Sequence, residues 1–227
     1  MEIFKGFDKK TLIFYKQLSS HNSREWFEKH RNEYDDFVLK PAQEFVMAMG
    51  EKLRELSPDI HAIPKVDKTI FRIHRDIRFS PDKTPYKTHL AFFFWDGPRN
   101  KNDNPGYYLQ IDAQKVFIGL GLYIFPKDIL ETYRELIAKS REAEKLQSIL
   151  QQIRDKGYGA GGHGSKRVPR GYDQNYKYAE LLKFKGIYTW YECSPPDALF
   201  SSNFIDWCFN IYKAMVPLHY WSKEKLV

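Results

Sequence analysis

At 227 residues, with 42% hydrophobic and 16% aromatic content, the chain is long and apolar enough to bury a sizeable core, which excludes a disordered or low-complexity segment. A formal net charge of +7 and a pI near 9.1 permit anionic partners without requiring nucleic acid. No apolar run approaches the ~18 residues of a membrane span, the start has no basic-then-apolar signal pattern, and Cys193 and Cys208 are not in a Cys-x-x-Cys arrangement; a reduced, cytoplasmic protein with no membrane partner is expected.

The first segment, 8–57, reads as helical. Asp8, with Phe7 before it and Leu12 after it, fits an N-cap with a hydrophobic staple, and Asn22 with Glu25 makes a capping-box pattern for the next helix. Trp26, Phe27, His30, Tyr34, Phe37 and Val38 recur at helical spacing, and Ala42, Phe45, Val46, Met49 and Leu53 repeat it after Pro41, which suits a helix start or a kink. Trp26 and Phe27 are expected in the core and not on a binding platform.

Over 68–124 the period switches to two, and a mostly antiparallel meander is predicted. The stretch 70–95 reads IFRIHRDIRFSPDKTPYKTHLAFFFW, two β-rich arms around Ser80, Pro81, Asp82 and Lys83. Strand alternation sets Phe71, Ile73, Arg75, Ile77 and Phe79 on one side and Arg72, His74, Asp76 and Arg78 on the other. Arg75 is then a guanidinium among apolar neighbours and has to meet a carboxylate, a carbonyl or a ligand. Asp76 and Arg78, about 6 to 7 Å apart along a strand, are expected to pair. Pro81 and Pro85 stiffen the loop that carries Lys83, Tyr86 and Lys87. Further on, strands are predicted over 107–111 and 115–124, with Gly119 and Gly121 leaving a shallow trough for a helix, another backbone or a ligand, of which a helix is favoured.

Arg72, Arg75, Asp76, Arg78, Phe79, Asp82, Lys83 and Tyr86 compose the pattern R-x-x-R-D-x-R-F-x-x-D-K-x-x-Y. Here the chain resembles the family catalogued as domain of unknown function 2461, and two flanking pieces resemble it as well: Asn22, Ser23, Arg24, Glu25, Trp26 and Phe27 near the start, and the run Lys166, Arg167, Val168, Pro169, Arg170, Gly171 and Tyr172. The resemblance spans most of the chain. It implies a soluble, mostly bacterial, single-domain protein with no established activity, and it supplies no mechanism.

A helical pair follows over 126–156, with Pro126 at a first helical position, Ser140 as a cap and Gly157 as a stop. The loop 157–176 is glycine-rich. Its Ser165 and Lys166 stand in the reverse order of a phosphate loop and no apolar strand precedes them, so the expectation is an ordered surface loop or a mobile flap whose Lys166, Arg167 and Arg170 close over an anion. A strand and a C-terminal helix complete the chain over 177–223, the helix carrying a stripe of Phe204, Trp207, Cys208, Ile211 and Met215 that runs to Pro217. The predicted fold is α+β: one domain, 1–227, in which N-terminal, middle and C-terminal helices pack on an antiparallel sheet of about four to six strands.

For chemistry, His74, Asp76 and His89 sit among too many cations to hold a dication, no cofactor motif is present, and Ser80 beside a proline is turn chemistry and not a nucleophile. The residues point to a pocket for a small phosphate- or carboxylate-bearing molecule, bound by Arg72, Arg75, Arg78, Lys83, Tyr86, Lys87, Arg167 and Arg170. If the chain is an enzyme, Asp76 or Asp82 is the general base. Two alternatives stand beside this: a nucleic-acid module using the same hairpin and loop, and a salt-bridge network with a structural role only.

Overall fold

The computed structural model describes residues 3–227. The first helix, α1 (Lys9–Ser20), opens as its sequence requires: the Asp8 carboxylate accepts the Lys10 N–H at 2.8 Å, and Phe7 is buried beneath it. In α2 (Arg24–Lys29) the capping residue is Ser23, whose hydroxyl accepts the Trp26 N–H at 3.2 Å, and not the expected Asn22. Asn22 is drawn away by a distant partner: its amide donates to the Tyr86 carbonyl at 2.9 Å and accepts the Tyr86 N–H at 3.0 Å, replacing two ladder bonds of a strand.

Next come α3 (Arg31–Tyr34), a π-helical turn (Asp35–Leu39) and α4 (Lys40–Leu53). The wide turn is the answer to Pro41. A proline has no N–H for the carbonyl four residues earlier and crowds it; that carbonyl, of Phe37, instead accepts the buried Thr11 hydroxyl at 2.6 Å.

One open sheet of five antiparallel strands follows, ordered β1-β2-β3-β5-β4. These are β1 (His89–Trp95), β2 (Gly106–Asp112), β3 (Val116–Leu122), β4 (Gly159–Gly161) and β5 (Ile187–Cys193). The helices α5 (Lys127–Ile137), α6 (Ser140–Asp155), α7 (Ala179–Leu182) and α8 (Phe204–Leu226) complete an α+β fold. Pro126 and Lys139 are the residues just before α5 and α6, one position from the predicted starts. The buried stripe of α8 continues past Pro217 through Leu218 and Trp221.

Three expectations about the sheet are corrected. The arm at 70–79 is not a regular strand. Its start pairs with β1, Phe71 N–H donating to Ala91 O and Phe93 N–H to Thr69 O, both at 2.9 Å, but beyond it only the His74–Tyr86 bridge survives. Pro81 and Pro85 supply no N–H, and the carbonyls of Arg72, Ile77 and Thr84 are taken by the side chains of Lys87, Lys83 and Arg75. The glycine-rich segment, read as a loop, begins with β4, in which Gly159, Ala160 and Gly161 pair with Trp190, Thr189 and Tyr188. The trough at Gly121 receives strand backbone and not a helix: a Cβ there would collide with Ile187 O and the Tyr188 Cα.

The chain divides into two compact units. The first holds the residues up to Phe94 with Tyr108–Ile118 and Glu192–Asn210; the second holds Trp95–Tyr107, Gly119–Tyr191 and Ile211–Val227. In the first, Phe45 sits among Phe7, Phe92 and Phe204 with ring centroids 5.7, 5.0 and 5.7 Å away. In the second, Tyr133, Ile153, Ile187 and Trp221 are part of a separate buried cluster, and the Tyr133 hydroxyl donates to Leu181 O at 2.9 Å.

Candidate functional site

The motif folds into a hairpin that supports itself. Arg75 lies on the inner side with Ile73, as its alternation requires, and its side chain is 25% exposed. Its guanidinium donates to Asp82 at 2.6 Å, to the Thr84 carbonyl at 3.1 Å and to the Thr84 hydroxyl. Asp82 also accepts the Thr84 N–H at 2.9 Å, an Asx turn that sets the bend after Pro81. Bonds from the Thr84 backbone and hydroxyl, then from Arg75, hold the Asp82 carboxyl down at about 2.

Arg78 and Asp76 pair through both forks, Nε to Oδ1 at 2.9 Å and the terminal nitrogen to Oδ2 at 2.7 Å. That pairing, Arg78 first, brings Asp76 to about 2. A carboxylate held there is ionised at neutral pH and is a weak proton acceptor. Lys83 donates to Ile77 O at 2.9 Å. Tyr86 is 3% exposed, its ring stacked on Phe27 with centroids 4.4 Å apart, while Phe79 at the tip is 92% exposed beneath Arg78. The strand parity thus holds through Ile77 and fails at Phe79, where the chain turns.

Arg72 of the motif and two bases just beyond it, Lys87 and His89, form a second group of cations. Lys87 donates to Arg72 O at 2.9 Å and lies over the Phe71 ring, and His89 follows two residues on. Burial first, and the Arg72 charge second, hold the Lys87 ammonium below its ordinary value. Burial and then Lys87 do the same to His89. The opposing pulls of Asp67 and Asp112 are smaller, and among the described residues no carboxylate reaches Arg72, Lys87 or His89 at ion-pair distance. Arg167 and Arg170 are exposed and belong to the second unit.

The family described as Conserved hypothetical protein (DUF2461) matches residues 10–221. The chain belongs to this family. No curated protein matched it. The matched DUF2461 span contains the whole hairpin, the Asn22 clamp on Tyr86 and the loop bearing Arg167 and Arg170. In this DUF2461 chain no group of three His, Cys, Asp or Glu side chains is placed to hold a metal ion, and no helix is long and apolar enough to cross a membrane, among the described residues.

Sequence reasoning missed three supporting residues, Asn22, Ser80 and Thr84; the last was legible as the residue two beyond an Asp in a Pro-Asp-x-Thr turn. It also missed a buried cluster in the second unit. Asp96, 1% exposed, meets His219 Nε2 at 2.9 Å and Lys223 Nζ at 2.6 Å, with His219 and Lys223 one turn apart on α8. No local pattern marks such a pairing, because its members lie more than a hundred residues apart in sequence.

Proposed function

We propose that the hairpin recognises a small phosphate- or carboxylate-bearing molecule, and that Arg72, Lys87 and His89 are the groups that meet it. The observation that supports this is the crowding of these three bases, Lys87 and His89 part-buried and none of the three at ion-pair distance from a carboxylate among the described residues, beside a loop whose Arg75 and Arg78 are already paired with Asp82 and Asp76. Like charges held together disfavour one another's protonation, and an anion relieves that conflict. Arg75, Asp82, Thr84 and Lys83 then act as scaffold: they lock the bend so that the cations keep their places without a regular ladder. Arg78 remains 76% exposed and adds charge at the rim.

Binding of an anion must raise the His89 pKa, because the charged ring gains a counter-ion. Nuclear magnetic resonance titration of His89 with and without inorganic phosphate or a nucleoside monophosphate measures this. An upward shift that disappears in Arg72→Ala and Lys87→Met is the expected result. A His89 titration indifferent to every small anion, in a folded protein, refutes the reading.

A further inference from the structure

The second unit carries an exposed aromatic surface that the hairpin reading does not use. Along β5, Ile187 and Thr189 are buried while Tyr188 and Trp190 point to the other face, where Tyr123, just past β3, joins them. The ring centroids run in a row, Tyr123 to Tyr188 at 5.3 Å and Tyr188 to Trp190 at 5.6 Å. Tyr123 is 67% exposed, Ile124 beside it 60% and Trp190 36%, so these side chains are not core that happens to reach the surface. The Trp190 indole lies flat on Gly159 of the neighbouring strand, where any Cβ would run into it, and is thereby fixed as a platform.

Charge lies next to this row. His163 packs against Tyr123 at 5.1 Å, and its carbonyl accepts the Lys185 N–H at 2.8 Å, which pins the start of the basic loop to the rings. Lys166 and Arg167 follow within three and four residues, no more than about 11 to 14 Å of chain. Lys166, Arg167 and Arg170 are all exposed, and none meets a carboxylate at ion-pair distance among the described residues. From 157 to 191 the sequence holds six lysines and arginines against Asp173 and Glu180.

We propose that this surface binds single-stranded nucleic acid, its bases stacking on Tyr123, Tyr188 and Trp190 and its phosphates meeting Lys166, Arg167 and Arg170. Three neighbouring rings, tilted 47° and 51° to one another, beside a loop of exposed cations suit a chain of planar groups joined by anions. An acidic peptide has use for the cations and none for the row of rings, and a duplex hides its base faces within its own stack. The site shares no residue with the hairpin, so either reading can fail alone.

The test uses the full chain and fluorescently labelled oligo-uridine and oligo-thymidine of about 12 nucleotides. Anisotropy titrations between about 50 and 200 mM salt read the affinity and its salt slope. Binding of either strand is expected, weakened about tenfold or more in Tyr123→Ala, with a slope shallower by about 1.4 in the double variant Arg167→Glu and Arg170→Glu, about 0.7 for each lost phosphate contact. Lys16→Glu on α1 controls for net charge and is expected to bind as the parent does. No binding at the lowest salt overturns the proposal. So does equal affinity for a duplex, and so does binding that survives Tyr123→Ala and is competed by polyglutamate, which assigns the cations to an acidic polypeptide.

Discussion

Asp76 and Asp82 reach the same low pKa by different routes. For Asp76 the largest influence is the Arg78 guanidinium, a side chain 76% exposed; for Asp82 it is the Thr84 backbone N–H, then the Thr84 hydroxyl, with Arg75 behind both. Replacing the arginine in each pair therefore has unequal effects. In Arg78→Ala the Asp76 carboxyl loses its largest influence and is expected to rise, held down only by the residue-78 backbone N–H at 3.3 Å and by Arg72, whereas in Arg75→Ala Asp82 rises less, because both Thr84 bonds of the Asx turn persist. Carboxyl carbon shifts followed through an acid titration decide the matter, and a full return of Asp82 in Arg75→Ala would show that the turn depends on the guanidinium. Arg75 was legible as an inward charge from parity alone. Its partner was not, since alternation sets Asp76 on the opposite side but says nothing of Asp82, which only the bend after Pro81 brings back to Arg75.

Among the elements, the helical stretch before α4 shows how a local irregularity is stabilised from outside. The π-turn at Asp35–Leu39 leaves the Phe37 carbonyl to the Thr11 hydroxyl, and Thr11 is fully buried. Thr11→Val keeps the shape, removes the donor and leaves a buried carbonyl without its bond. A loss of about 1 to 3 kcal/mol in urea unfolding is expected, against a much smaller change for Thr11→Ser. Equal midpoints for the two variants would mean that the carbonyl is served otherwise. Pro41 announced a disturbance in the sequence, but not its form, which depends on Thr11 of another helix arriving at the right carbonyl. β4 was missed for a related reason. Three residues of Gly-Ala-Gly have no strand propensity of their own, and their pairing with β5, where Trp190 lies over Gly159, is a tertiary contact.

For the whole molecule, the charge shifts set a stability profile in pH. The two aspartates, held at about 2 against a usual 3.8, contribute stability that is present above about 4 and is lost as pH falls toward 2, because the unfolded chain takes up protons first. His89, lowered from 6.5, acts in the same sense: below 6.5 the unfolded state protonates first and stability declines. At the other end Tyr34 is pushed up to about 12 by burial and then by Asp35, and burial raises Tyr15 and Tyr133, so above 10 the unfolded chain ionises first and stability falls again. Lys87, lowered from 10.5, opposes these three tyrosines only weakly. Urea midpoints are therefore expected to rise from pH 3 to 7, level off, and fall beyond 10; a midpoint that is flat from 3 to 7 would show that these groups are not perturbed in solution. The α+β class, the sheet of β1, β2, β3 and β5 and the buried faces of the long helices were readable from periodicity, because burying one side of an element imposes its own repeat on the residues. The Asn22 clamp, β4 and the Asp96 cluster were decided by the fold, since each depends on a side chain or strand from far along the chain reaching a polar group that local sequence leaves unserved, and the irregular hairpin by which of its own side chains reach its carbonyls.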